Sequence, residues 1–142
     1  ISAIDEGQFD AMRPPAMVSH FPADLRDTSL EYSGIYEDGW VSESSFLRLR
    51  QPENCPVLRI RSRQPGLSPL ASALRVVVGG VTVAQVALKM GENDLKIPLV
   101  GQSGIQRVEL HFDRATRLPS PDNRPASALL RSVGFEPLSS ER

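Results

Sequence analysis

The sequence has few of the features that mark specialised classes of protein. It contains one cysteine in 142 residues, which excludes a disulfide-stabilised scaffold. No apolar run approaches the roughly 18–20 residues that a membrane-spanning helix needs, and no signal-peptide pattern is present. Aromatic residues make up only 6% of the chain, and the opposite charges nearly balance at a net −1. These values are typical of one globular domain.

Long uninterrupted helical patterns are also missing. The chain has 10 glycines and 12 prolines, a larger share than the roughly 12% of average proteins. These breakers divide the sequence into short segments with period-two alternation. This pattern excludes a helical bundle and predicts short strands joined by turns.

The strand signals are strongest after residue 33. Residues 45–50 and 57–62 each alternate apolar and arginine side chains, and the turn-rich residues between them favour an antiparallel pair. Gly79-Gly80 lies between two β-branched runs and predicts a hairpin with a primed turn. A further turn is expected at residues 91–94. In all, about eight strands are predicted, near residues 35–36, 45–50, 57–62, 73–78, 81–88, 95–100, 105–112 and 128–135.

These strands predict an all-β fold, an antiparallel, jelly-roll-like β-sandwich with an irregular N-terminal arm. The expected division is an arm or linker over residues 1–32, a sandwich over 33–137 and a tail over 138–142. The arm is rich in proline and acids, with one helical turn expected at residues 4–12, and either docks on the sandwich or acts as a linker. Because the chain begins at Ile1, we expect a domain of a longer protein.

Charge is distributed unevenly along the chain. Residues 1–43 hold nine acids and two bases, whereas the remaining residues hold eight acids and fourteen bases. Three interpretations stay open: a solvated mixed surface, which is favoured, an acidic segment lying across a basic sheet, or a basic sheet facing an acidic partner. If the strands are neighbours, the sheet arginines form one stripe, namely Arg48, Arg50, Arg59, Arg61 and Arg107. Such a stripe suits an anionic sugar, another domain or the acidic arm. The scarcity of aromatic residues argues against nucleic acid as the partner.

Motifs for catalysis or metal binding are absent from the sequence. There is no phosphate loop, nucleophile elbow or zinc spacing, and no loop has ordered calcium-ligand spacing. His111 is expected on the outer face of its strand, and Cys55 in a half-buried loop. We therefore predict no catalytic residue, no metal and no cofactor, and expect a non-catalytic domain. The lone cysteine favours a cytoplasmic location, with the cell envelope as the alternative.

Residues 32–40 hold both tyrosines and the only tryptophan, next to two acids. Aromatic faces stack on sugar rings and carboxylates accept hydrogen bonds from hydroxyls, so this mixture suits a carbohydrate site. The competing interpretation, which is favoured from the residue types alone, is that Trp40 anchors the core and Asp38-Gly39 is only a turn. The predicted ligand-binding residues are Tyr36, Glu37, Asp38, Trp40, Asp113 and Arg124.

The segment Gly34-Ile35-Tyr36-Glu37-Asp38-Gly39-Trp40, followed by an alternating Leu/Arg strand, resembles the opening of accessory β-sandwich domains in bacterial multidomain glycosyltransferases and surface-polysaccharide proteins. The closing segment of those domains is matched by Asp122-Asn123-Arg124 and by the apolar residues Leu130, Val133 and Phe135. The chain departs from the pattern at Ala126-Ser127, where Leu-Gly is expected.

The resemblance is to domains similar to carbohydrate-binding modules. It implies a non-catalytic module that binds a glycan or glycosylated surface polymer and is joined to a catalytic domain of the same polypeptide, within a glycosyltransferase. The alternative is a structural or docking module that positions a neighbouring catalytic domain and has no ligand of its own.

Overall fold

The computed structural model describes residues 14–64, 72–99, 101–118, 121–122 and 124–137. These residues form eleven strands and one short 3-10 turn, Ala23–Arg26. The strands are β1 (Met17–Val18), β2 (Tyr32–Ile35), β3 (Trp40–Gln51), β4 (Val57–Gln64), β5 (Ser72–Val78), β6 (Val81–Leu88), β7 (Gly91–Pro98), β8 (Gly104–Phe112), β9 (Thr116–Arg117), β10 (Pro125–Ala126) and β11 (Ala128–Glu136).

The main strands form two antiparallel layers. One has the order β6-β5-β8-β3, with β2 on β3, and the other has the order β11-β4-β7, with β1 on β11. The layers are joined where the first two residues of β3 pair with Leu129 and Ala128 of β11. Inward-facing side chains from both layers form one core, including Leu47, Leu49, Leu74, Leu110, Leu58, Ile60, Leu130 and Val133. The predicted all-β, jelly-roll-like sandwich is therefore confirmed.

All the main predicted strands are present, and the glycine hairpin is confirmed. β5 and β6 pair directly across Gly79-Gly80, with Val78 opposite Val81. The two glycines have φ values of +60° and +85°, the left-handed region that a type I′ turn, one of the two primed types, requires at both positions. In the long loop after β8, the two-residue strands β9 and β10 pair with each other.

Two local predictions are wrong. Residues 45–50 and 57–62 do not pair, because β11 lies between β3 and β4 and the connection crosses from one layer to the other. Residues 91–94 are the start of β7 and not a turn. The turn precedes them at Lys89, whose backbone N–H and carbonyl both bond to the Asn93 side chain. Alternation identifies strands, but it does not specify their partners.

The described part of the N-terminal arm packs on the sandwich. Val18, Leu25 and Leu30 are buried in its core, and β1 pairs with Val133 and Gly134 of β11. At Gly134 the backbone of β1 approaches so closely that a Cβ atom would collide with it. The helical turn expected at residues 4–12 lies outside the described residues.

Candidate functional site

The β2–β3 connection holds Tyr36 and Trp40, the two aromatic residues of the predicted site, at one end of the sandwich. The N–H of Tyr36 donates to the Trp40 carbonyl at 2.8 Å, and the N–H of Gly39 donates to the Tyr36 carbonyl at 2.9 Å. Gly39 has a φ of +97°, and a Cβ atom at this position would lie only 3.0 Å from the Leu130 carbonyl oxygen. The turn that links Tyr36, Asp38 and Trp40 therefore depends on glycine.

Four side chains form a compact group here, which we call the Tyr36 cluster: Tyr36, Asp38, Asp122 and Arg124. The Arg124 guanidinium lies over the Tyr36 ring, with its carbon 4.6 Å from the ring centroid. It donates from Nη2 to Asp38 Oδ2 at 2.7 Å and from Nε to Asp122 Oδ1 at 2.6 Å. Asp38 and Arg124 are 86 positions apart in sequence, so one guanidinium joins two distant segments of the chain.

Three of the predicted site residues, Tyr36, Asp38 and Arg124, therefore come together. Asp122 was missed as a site residue, although its place in the Asp122-Asn123-Arg124 motif was a signal that it lies near Arg124. One face of the Tyr36 ring is covered by the guanidinium, and the Tyr36 hydroxyl donates to the Pro125 carbonyl at 3.4 Å. On that face of Tyr36, a ligand would therefore contact the Arg124 guanidinium and not the aromatic ring.

The opposite charges of the Tyr36 cluster stabilise the ionised forms of its side chains. Hydrogen bonds from Arg124 lower the pKa of Asp38 and of Asp122 below their usual range. The two carboxylates in turn raise the pKa of Arg124. At neutral pH the cluster therefore holds two ionised carboxylates, which only accept hydrogen bonds, and one guanidinium, which only donates.

Trp40 lies beside this cluster but does not belong to the core. It is half-buried and is opposite Leu129 of β11, which is also half-buried, whereas the next pair, Val41 and Ala128, is fully buried. Because side chains alternate along a strand, Trp40 and Leu129 point to the outer face. The structure therefore does not support Trp40 as a core residue.

The two remaining predicted site residues, Glu37 and Asp113, lie on different segments of the structure. Glu37 is exposed in the β2–β3 turn. Asp113 follows β8, where its carboxylate accepts a hydrogen bond from the Ala73 N–H at 2.8 Å. In this position Asp113 ties the end of β8 to β5.

The sheet arginines lie on two outer faces and do not form the single predicted stripe. Arg48 and Arg107 are opposite each other on β3 and β8, whereas Arg59 lies on β4 of the other layer. Arg48 pairs with Glu31 at 2.9 Å, which is one contact of the kind expected between the acidic segment and the sheet. Arg59 pairs with Asp94 at 2.6 Å. The separation follows from the crossing between β3 and β4.

His111 lies on the outer face of β8, as predicted. Its ring contacts the Ser44 hydroxyl at 3.2 Å and the Glu109 carboxylate at 2.8 Å. Hydrogen bonds from His111 and Arg107 lower the pKa of Glu109. Cys55 is buried in the β3–β4 loop, more deeply than the half-buried position expected.

Within the described part of the chain, no group of three or more metal-ligating side chains comes together. Over the same residues, no helix has the length and apolar character required to cross a membrane.

Among known proteins, the chain is similar only to solved structures, and this similarity is in the fold. No protein-family model and no curated protein matches the chain. A two-domain esterase active on acetylated mannans, crystallised with mannopentaose, is 14% identical, with a TM-score of 0.50 over 88% of this chain and 38% of the esterase.

Two other solved structures are similar to the chain. A salicylyl-acyltransferase from a tetracycline biosynthetic pathway is 22% identical over 88% of this chain and 41% of its own, with a TM-score of 0.46. A carbohydrate-binding module in complex with calcium and xylotriose is 17% identical over 75% of this chain and 93% of its own, with a TM-score of 0.42. The chain spans less than half of the two enzymes. Because the esterase is only 14% identical, its similarity to the chain shows a shared β-sandwich fold and nothing more.

Proposed function

We propose that this domain is a non-catalytic carbohydrate-binding module whose ligand lies at the end of the sandwich that carries Trp40 and the Tyr36 cluster. The observation that carries the proposal is the position of Trp40. A large aromatic ring that is half-buried, faces outward and lies beside ionised side chains has little structural reason to be there, and it is available to a ligand.

The neighbouring groups suit a sugar. Asp38 and Asp122 present fixed acceptor oxygens for sugar hydroxyls, since each carboxylate oxygen has more than one lone pair. Arg124 holds the two carboxylates through four hydrogen bonds and keeps one N–H of Nη1 for a ligand. Because these side chains hold one another in place, little conformational entropy is lost when a ligand binds them. Trp40 then supplies the apolar face on which the C–H groups of a pyranose ring pack.

The proposal extends to the context of the domain. We place it in a bacterial polypeptide of glycan assembly, a glycosyltransferase, as an accessory module beside a catalytic domain, in the cytoplasm or at the cell envelope. Support comes from the motifs at residues 34–40 and 122–135. It also comes from the esterase, in which a fold of this kind makes up 38% of a two-domain enzyme that acts on a glycan.

The docking alternative has less support. It relied on a single arginine stripe or on the apolar arm as the contact surface. The arginines are divided between two layers, and three apolar residues of the arm are buried in the domain's own core. The arm residues are therefore engaged within the domain itself, and the arginines do not form one contact surface.

Replacing Trp40 with alanine is expected to weaken glycan binding at least roughly tenfold, which corresponds to about 1.4 kcal/mol of binding free energy. The midpoint of thermal unfolding is expected to change little, because Trp40 lies outside the core. Isothermal titration calorimetry against a panel of oligosaccharides, after a glycan array, measures the effect.

The matched control is Phe46→Ala, which removes an outward-facing aromatic ring from the part of β3 that pairs with β8, where it lies under Arg107. That variant should keep the wild-type affinity. Equal affinities of wild type and Trp40→Ala, or no binding across a broad panel, would contradict the proposed function.

A further inference from the structure

We infer that the glycan bound at Trp40 is anionic, and that its carboxylate groups are held by a basic cleft on the outer face of β4, β7 and β11. This inference rests on the carbohydrate-binding function proposed above. It adds the chemical class of the ligand and a second group of residues that contact it.

The register of four strands connects Trp40 to this cleft. Trp40 is opposite Leu129, Leu129 is opposite Arg63, and Arg63 is opposite Glu92. Residues directly opposite each other in antiparallel strands point to the same face of the sheet. With strands about 4.8 Å apart, the backbone of Arg63 is roughly 10 Å from that of Trp40. The tryptophan and the basic residues therefore share one outer face.

The cleft itself has a volume of about 540 Å³ and is lined by residues of all three strands and of the β6–β7 turn. Its basic lining residues are Arg61, Lys89 and Arg131, and its acidic ones are Glu92 and Asp94. Across the cleft and the strand residues around it, bases outnumber acids six to three: Arg59, Arg61, Arg63, Lys89, Lys96 and Arg131 against Glu92, Asp94 and Glu136.

Among the side chains described on this face, each acidic one forms an ion pair, whereas several basic ones do not. Glu92 pairs with Arg131 at 2.9 Å, and Arg59 pairs with Asp94 at 2.6 Å and with Glu136 at 3.6 Å. Among the described residues, Arg61, Arg63, Lys89 and Lys96 have no ion-pair partner. The pKa of Glu92 is lowered, first by Arg131 and further by the charges of Arg63 and Arg61. The outer face of β4, β7 and β11 therefore has a positive potential on one side of Trp40. The Tyr36 cluster, on the other side of Trp40, holds two carboxylates and one guanidinium.

A carboxylated sugar fits this surface better than a nucleic acid does. The planar guanidinium groups of Arg61 and Arg63 bind carboxylates through paired hydrogen bonds. Glu92 and Asp94 accept hydrogen bonds from sugar hydroxyls, whereas they would repel the closely spaced phosphates of a nucleic acid. Trp40 is the only aromatic side chain among those named on this face, and nucleic-acid surfaces use several for base stacking.

The test measures binding of uronate oligosaccharides (galacturonate, mannuronate and glucuronate) and of the same oligomers after reduction of their carboxyl groups. Wild-type protein is expected to bind at least one carboxylated oligomer roughly tenfold or more tightly than its reduced form, with a preference that falls as salt rises. The double variant Arg61→Ser/Arg63→Ser should lose this preference. The control Arg48→Ser/Arg75→Ser, with the same charge change on the other layer, should retain it.

The outcomes separate this inference from the function on which it rests. Neutral and reduced glycans that bind as tightly as uronates, with a dependence on Trp40, would overturn the inference and leave the carbohydrate-binding function intact. The same conclusion holds if no uronate binds but a neutral glycan does. Binding of a single-stranded oligonucleotide more tightly than any uronate overturns it in favour of nucleic acid. If no glycan of any class binds, both proposals fail.

Discussion

Replacing Gly34 with alanine is expected to destabilise the domain by about 3 kcal/mol or more, since two unfavourable terms add. Gly34 has a φ of +81°, a conformation that residues with a Cβ atom rarely adopt. A Cβ atom there would also lie 2.9 Å from Ser42 Oγ and from Ser45 Cα, and closer still to the backbone of Ser44. Because β3 cannot move without disturbing its pairing with β8, the strain is not relieved locally.

Gly80→Ala is the matched control for this substitution. Gly80 has a φ of +85°, but nothing lies within 4 Å of the position that a Cβ atom would take. This variant therefore bears only the conformational cost of roughly 1–2 kcal/mol. Chemical denaturation of both variants separates the two terms, and equal losses of stability would contradict the close packing of β2 on β3.

Replacing Arg124 with alanine is expected to weaken glycan binding at least roughly tenfold, because one substitution removes the group that orders the whole Tyr36 cluster. Without it, Asp38 and Asp122 lose their common partner and repel each other, and Tyr36 loses the guanidinium over its ring. Lysine should not rescue binding, since a single ammonium group does not reproduce the planar, bridging contacts. Calorimetric titration with the glycan identified for the wild type measures the loss.

Arg48→Ala is the control, because Arg48 also forms an exposed ion pair, with Glu31, but lies in the part of β3 that pairs with β8, away from the Tyr36 cluster. Exposed ion pairs contribute little to stability, so both variants should unfold at nearly the wild-type temperature. An Arg124→Ala protein that binds glycan as well as Arg48→Ala does would remove the Tyr36 cluster from the binding site.

The features that could be predicted from the sequence are those set by local chemistry. The alternation of residues 45–50 predicts a strand with one buried face and one solvent-facing face, and the Gly79-Gly80 pair predicts a primed turn. Both depend only on residues adjacent in the chain. The proximity of Tyr36, Asp38 and Trp40 was likewise predictable, since they share one turn.

Features that depend on the path of the chain could not be predicted. The insertion of β11 between β3 and β4 divides the arginines between two faces, and no periodicity specifies it. The same strand brings Leu129 between Trp40 and Arg63, residues that belong to unrelated segments of sequence. At residues 91–94, turn-forming residue types gave the wrong answer because the Asn93 side chain closes the turn that precedes it.

The most direct test of the central claim, that glycan binds at Trp40, is the intrinsic fluorescence of the protein, because Trp40 is its only tryptophan. We predict partial quenching by acrylamide in the free protein, as expected for a half-buried ring. Titration with a bound oligosaccharide should produce a saturable shift of the emission maximum and protect the ring from the quencher. An emission spectrum and quenching that remain unchanged at saturating concentrations of every glycan that binds would contradict the claim.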